Sequence, residues 1–276
     1  MRIRLLAGAV AGLSLALVGA LPAGAATPGN AALSVLHGVP DLTVDVYVNG
    51  TLTLDNFAPG DVAGPLDLAP GTYTVAITAA DAADASAPVI GPIDLPLAAD
   101  MNYTAVAHLD AAGAPTATLF TNDISKTTAG QGRLTVRHVA AAPAVDVLAG
   151  GTAVISGLVN PKEQVLNLPA GTISASVAAA GTTTPVIGPA DVNVAEGVNT
   201  IVYAWGSLEA NNLKLAVQTI SGLHNAPAGV PSGELGLASD SSSSSAPWMI
   251  GAGLLVAAGG ALLLSRRSSV RVPTRD

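Results

Sequence analysis

The sequence predicts an all-β chain: two tandem β-sandwich domains, followed by one transmembrane helix near the C-terminus. Three observations lead there. Short runs in which apolar and polar residues alternate are separated by turn signals. These runs recur along the chain at a spacing of roughly 100 residues. Two unbroken apolar segments stand at its two ends. Composition agrees with this reading, because half of the 276 residues are hydrophobic while only two Trp, four Tyr and two Phe are aromatic. Gly (30) and Pro (19) are scattered, as many turns between short strands require. There is no cysteine, which excludes disulfide scaffolds, thiolate metal sites, Cys nucleophiles and thiol-linked lipid anchors.

The N-terminal segment opens with the basic stretch Met1-Arg2-Ile3-Arg4. It continues with an apolar run from Leu5 to Leu21 and ends in Pro22-Ala23-Gly24-Ala25-Ala26. A basic head, an apolar middle and small residues at an A-x-A-like site make a secretory signal peptide over residues 1–26. Cleavage after Ala25 and after Ala26 are equally readable.

Near the other end, residues 247–264 carry no charge. At 1.5 Å per residue they make about 27 Å of helix, enough to cross a hydrocarbon core of about 30 Å. Trp248 suits the outer boundary and Arg266 with Arg267 the inner one, so residues 265–276 form a basic cytoplasmic tail. Everything between the two segments is then extracytoplasmic. The tail also has the apolar span and basic end of a sortase sorting signal. Its pentapeptide is missing, however: Leu237-Ala238-Ser239-Asp240-Ser241 has no Thr-Gly bond to cut.

The repeat is collinear. Leu33-Ser34-Val35-Leu36-His37 and Val44-Asp45-Val46 return 101 residues later as Leu134-Thr135-Val136-Arg137-His138 and Val145-Asp146-Val147. Pro88-Val89-Ile90-Gly91-Pro92 returns verbatim as Pro185–Pro189. Repeat one spans residues 27–126 and repeat two residues 127–222, each long enough to close a core of its own. Within each, Val44, Val46 and Val48, or Tyr73, Val75 and Ile77, alternate with polar neighbours, which predicts antiparallel strands with one wet face. Asn49-Gly50 marks a hairpin. About seven strands per repeat fit an immunoglobulin-like sandwich, and a transthyretin-like order would read the same. Residues 223–246, rich in Gly, Pro and Ser, make a flexible stalk.

The phrases Val35-Leu36-His37-Gly38-Val39-Pro40-Asp41 and Val44-Asp45-Val46-Tyr47-Val48-Asn49-Gly50 resemble the signature of the domain of unknown function 4397 family. Repeat two matches through Val136-Arg137-His138, Ala142-Pro143 and Val145-Asp146-Val147, and departs at Leu148-Ala149-Gly150-Gly151. Pro70-Gly71-Thr72-Tyr73 and Ala170-Gly171-Thr172-Ile173 resemble a later family hairpin. The resemblance implies exported bacterial proteins with tandem β-sandwich domains. It supplies no activity.

His37 with Asp45, and His138 with Asp146, are the one polar constellation that repeats. They could serve as metal ligands or acid–base dyads. Two ligands per domain fall short of the three or four a zinc site needs, so the expectation is structural: each side chain satisfies backbone groups. Calcium could be held only by loop acids such as Asp41, Asp45 and Asp61. No G-x-S-x-G elbow, H-E-x-x-H or Gly-rich phosphate loop occurs, so neither an enzyme nor a cofactor is expected. Residues 27–246 hold eighteen acids against five bases, a net −13 that disfavours nucleic acid. The reading is a single-pass surface protein of the cell membrane, a non-enzymatic binding or structural module whose partner is an unidentified envelope protein or polymer. A sortase-processed wall protein is the alternative, and an extracytoplasmic enzyme built on the His/Asp pairs a remote one.

Overall fold

The computed structural model describes residues 27–224. The signal segment, the stalk from residue 225, the 247–264 span with Trp248, and Arg266 and Arg267 lie outside the described residues. Among the described residues every regular element is a strand, and no helix is long and apolar enough to cross a membrane.

Repeat one contributes β1 (Ala31–Gly38), β2 (Val44–Val48), β3 (Thr51–Phe57), β4 (Val62–Leu68), β5 (Gly71–Ala79), β6 (Ile90–Leu97), β7 (Asn102–Leu109) and β8 (Pro115–Thr121). Repeat two follows as β9 (Gln131–Ala141), β10 (Val145–Ala149), β11 (Thr152–Leu158), β12 (Lys162–Pro169), β13 (Gly171–Ala179), β14 (Pro185–Val194), β15 (Asn199–Ser207) and β16 (Lys214–Ile220). Each repeat is a sandwich of two four-stranded sheets, ordered β4-β1-β7-β8 over β3-β2-β5-β6 and β12-β9-β15-β16 over β11-β10-β13-β14.

The turn chemistry sets the hairpins. Asn49 and Gly50 both take positive φ (51° and 78°), as a two-residue primed turn demands. Gly150 and Gly151 repeat it at 56° and 84°, so losing the family's Asn costs repeat two nothing here.

Two expectations need correction. There are eight strands per repeat rather than about seven, and the first strand lies parallel beside the seventh, Ala32 opposite Asn102 and Thr200 opposite Leu134. Four strands on four, with a parallel pair inside, is not the immunoglobulin order of four on three. Nor do the central strands have a wet face. β1 and β7 are buried at every position, and β9 and β15 at all but their ends. Alternation cannot reveal this, because strands covered on both sides read as nearly continuous apolar runs.

The cover on the second side is the other repeat. Each sandwich has an inner core, one around Leu33, Val46, Ile77 and Leu95, the other around Leu134, Val147, Val177 and Val192. A third cluster belongs to both: Leu36, Val106 and Phe120 of repeat one meet Val139, Ile201, Tyr203, Trp205 and Ile220 of repeat two. The two β1/β7-type sheets thus pack face to face, giving four layers in one compact unit. Gly60 shows how close the approach is: a Cβ there would stand 3.0 Å from the Trp205 ring, on a residue whose φ is already +93°.

The register also fixes the ends. β1, β7, β9 and β15 all run from a base to a tip. At the tip Asn160 Nδ2 donates to the Leu109 carbonyl (2.8 Å) and Asn212 Nδ2 to Asp41 (3.3 Å). At the base Arg133 donates to the carbonyls of Asp123 and Ser125 (3.0 Å each), and Lys126 Nζ to that of Gly222 (2.9 Å). Thr27 and His224 both lie at the base. The connections after β1, β3, β5 and β7, and their counterparts in repeat two, gather at the tip.

Candidate functional site

His37 and Asp45 sit on adjoining elements but on opposite sides of the outer sheet. Successive strand side chains alternate between faces, so His37 follows Leu33 and Val35 into the core, where it lies 5.9 Å from the Phe57 ring. Asp45, between core residues Val44 and Val46, points the other way. The histidine Nε2 donates to the Leu42 carbonyl at 2.6 Å, while Asp45 Oδ1 accepts the Asn56 amide at 2.8 Å. That amide belongs to a bulge: the β2/β3 register shifts between Val44 and Val46, and Asn56 takes φ 53°.

Repeat two does the same. His138 Nε2 donates to the Pro143 carbonyl (3.0 Å), and Asp146 accepts the amides of Gly157 and Gly181 (2.8 Å each). Those two amides hold the Asp146 carboxyl below its ordinary pKa. Burial is the main cause that pushes His37 and His138 below the usual imidazole value, opposed by their backbone hydrogen bonds. Each histidine holds the loop that follows its strand, and each aspartate pins a bulge. The geometry joins neither pair into a dyad.

The proposed calcium acids are dispersed as well. Asp41 meets Asn212, Asp45 is committed to its bulge, and no group of three potential metal ligands occurs among the described residues. Trp205, the one tryptophan among the described residues, is buried and offers no surface for stacking a sugar. Of the two Asn-x-Thr sequons, Asn49 is exposed and Asn102 is buried. Three apolar cavities of about 20, 20 and 30 Å³ lie in the sandwiches, room for a water or two rather than a substrate.

The largest polar constellation is one the sequence did not single out. Arg137, fully buried between the sandwiches, donates from Nε to Glu163 (2.7 Å), from Nη1 to the Tyr203 hydroxyl (2.8 Å) and from Nη2 to Asn122 Oδ1 (2.8 Å). Its guanidinium lies 4.3 Å from the centre of the Phe120 ring. Tyr203 passes the network on to Gln218 (2.6 Å), which also accepts from Thr104 of repeat one (3.0 Å). Burial raises the Tyr203 pKa, and Arg137 partly offsets the rise. His108, also fully buried, sits in the same layer with both ring nitrogens bonded, to the Leu109 carbonyl (2.8 Å) and to Thr118 Oγ1 (2.9 Å). One signal was available: a lone formal charge in the stretch Leu134–Ala141, at the position where repeat one has Leu36.

The same strands, turns and His/Asp pairs carry the family signature. The family model described as "Domain of unknown function (DUF4397)" matches residues 31–148 and 139–229. The chain belongs to the DUF4397 family. The first match covers repeat one and runs on into β9 and β10, the second covers repeat two from the end of β9, and the two overlap at 139–148, so this DUF4397 protein carries the domain in tandem. No curated protein matches it. Membership leaves its chemistry open. Within this DUF4397 pair, the recurring polar residues bond the protein's own backbone.

Proposed function

We propose that this DUF4397 protein is a non-enzymatic surface module of the cell envelope. In this reading it is exported by residues 1–26, held by the 247–264 span with its tail inside, and presents the tip of the double sandwich to an envelope protein or polymer. The observation that carries the reading is the placement of Thr27 and His224, the first and last described residues. The loops of both repeats gather at the end opposite Thr27 and His224, so a tether leaving from the base would hold all of them outward. The shared buried layer makes the pair a rigid platform, as positioned loops on a fixed scaffold require. The commitment of His37, His108 and His138 to internal partners supports a binding role over catalysis.

The absence of cysteine makes the test clean. Single cysteines at Ala112 in a tip loop, at Gly150 in a base turn and at Ser268 in the tail are exposed in intact cells to a membrane-impermeant maleimide. Labelling at Ala112 and Gly150, with Ser268 reacting only after lysis, is expected. A cross-linker on the Ala112 cysteine should then join envelope material that the Gly150 cysteine does not. Labelling of the tail in intact cells would refute the topology, and equal cross-linking from tip and base would refute the tip as the binding end.

A further inference from the structure

Thr27, where the export segment ends, is held by a carboxylate of β4. Thr27 donates its backbone nitrogen to Asp67 Oδ1 (3.3 Å) and its hydroxyl to Asp67 Oδ2. Thr27's hydroxyl is the largest of the causes that hold the Asp67 carboxyl below its ordinary pKa. One turn on, Gly29 donates to Asp100 Oδ1 (2.7 Å) and the Asn30 amide to the Thr27 carbonyl (2.9 Å). Asp67 therefore collects two donors from Thr27. Yet the ion pairs among the described residues are Arg133–Asp123 and Arg137–Glu163, and neither brings it a cation.

Repeat two supplies the comparison. Thr128-Ala129-Gly130-Gln131 forms the same turn: the Gln131 amide donates to the Thr128 carbonyl (3.0 Å) and Gly130 donates to Glu196 (2.8 Å). Asp67 lies opposite Ala32 in its sheet, and the corresponding place opposite Arg133 is taken by Asn167. The turn and its glycine–carboxylate bond are repeated, while the acid at Asp67 and the two Thr27 bonds to it belong to repeat one. Arg133 stands where repeat one has Ala32, but its guanidinium is engaged by Asp123 and Ser125, and the second difference is covalent. Thr128 follows Thr127 inside the chain and its nitrogen is a neutral amide, whereas Thr27 follows Ala26 at the end of the export segment.

We infer that the bond cut on export is Ala26–Thr27, and that the Thr27 ammonium so formed pairs with Asp67. This rests on the export reading of residues 1–26 and decides between its two cleavage sites. In the cut, water's hydroxyl goes to the Ala26 carbonyl carbon and its proton to the Thr27 nitrogen, which takes a further proton from solvent as an ammonium. Cleavage one bond earlier would put the charge on Ala26, one residue or about 3.8 Å of chain further on, and leave Thr27 a neutral amide with a single hydrogen. Only the later cut sets a cation on the carboxylate that already holds Thr27, and it explains why that place is acidic in the repeat that follows the export segment and neutral in the other.

Peptide mass mapping of the full-length protein recovered from cell membranes reads the N-terminus directly. A chain starting at Thr27 is expected. A start at Ala26 overturns the inference and leaves export standing, while an uncut Met1 start overturns both. The pairing has its own readout. Acylation of the Thr27 amine of the mature protein is followed against pH, in wild type and in Asp67→Asn, which installs the residue repeat two carries. The midpoint should move to lower pH in the variant, and coincident curves would overturn the ion pair.

Discussion

Leu36 and Arg137 occupy the same position of the two repeats, and both are completely buried in the same layer between the sandwiches. One repeat presents a hydrocarbon there and the other a guanidinium with three hydrogen-bond partners and an aromatic ring. The two faces are therefore related by sequence but are not interchangeable. Asn122 of repeat one is placed to receive Arg137, and Ile220, its counterpart in repeat two, lies in the apolar cluster with Leu36. A buried polar contact of this kind fixes which surface meets which, a use attested in helical assemblies.

Arg137→Ala should accordingly be among the most damaging single changes. It removes the donor to Tyr203 and Asn122 inside the buried layer and the cation beside the partly exposed Glu163, a loss toward the low end of the about 3–5 kcal/mol that breaking a fully buried pair costs. Arg137→Leu, copying repeat one, restores apolar volume but strands the same acceptors, and should fall between wild type and the alanine variant. Urea unfolding midpoints order the three proteins. Equal midpoints for wild type and Arg137→Ala would show the network to be energetically idle.

The bulge aspartates give a second test. Asp45→Ala removes the acceptor of the Asn56 amide and should cost about 1–3 kcal/mol. Asp146→Ala, which frees two amides, should lower the melting temperature in the same direction. Adding calcium or zinc should move neither wild type nor variants. A metal-dependent rise in wild-type melting that either change abolishes would return these residues to the status of ligands.

Acid should weaken the fold through its histidines. His37, His108 and His138 are held below the ordinary imidazole pKa, about 6.5, chiefly by burial. The unfolded chain thus binds more protons than the folded one as pH falls through that value, and stability drops with it. His37 illustrates the cause, since its Nδ1 is buried without an acceptor for an added proton. Stability measured from pH 8 to pH 5 should be level above pH 7 and fall below about 6.5. His37→Gln should flatten part of that fall, and an unchanged profile in all three single histidine variants would contradict the assignment.

Separated repeats form the fourth test. Residues 27–126 and 127–224 each keep an inner core, but cutting the chain exposes Leu36, Val106 and Phe120 on one piece and Ile201, Tyr203 and Trp205 on the other. Fully burying one such side chain is worth about 1.5–3 kcal/mol. Each half alone should therefore aggregate or melt well below the intact pair, and mixing them should recover stability. Two halves that each melt as high as the whole would show the middle layer to be dispensable.

Much of this molecule was legible in its residues. The collinear repeat, the Asn49-Gly50 hairpin and the alternation of Val44, Val46 and Val48 identify strands and tandem domains because turn chemistry and period two are local properties. Strand order is not local. Nothing in Ala31–Gly38 says that it will lie beside Asn102–Leu109, and its continuous burial looks the same whichever neighbour covers it. The middle layer was hidden for the same reason. Arg137 is one of five bases in residues 27–246, but what makes it informative is the identity of residues 15 and 66 positions away, Asn122 and Tyr203.

The parallel pairing of the first and seventh strands also sets a timetable for the chain as it folds. A strand flanked by β4 and β7 cannot complete its sheet until the segment ending at Leu109 is available, and Gln131–Ala141 must likewise wait for Asn199–Ser207. Loop closure over such distances must occur before the contacts reward it, which makes assembly slow compared with proteins built from neighbouring contacts. A chain that crosses a membrane from its N-terminus onward would emerge with its opening strand unpartnered. Repeat one could close only once about a hundred residues had passed, and Arg137 would reach its last partners only when the second sandwich had formed against it.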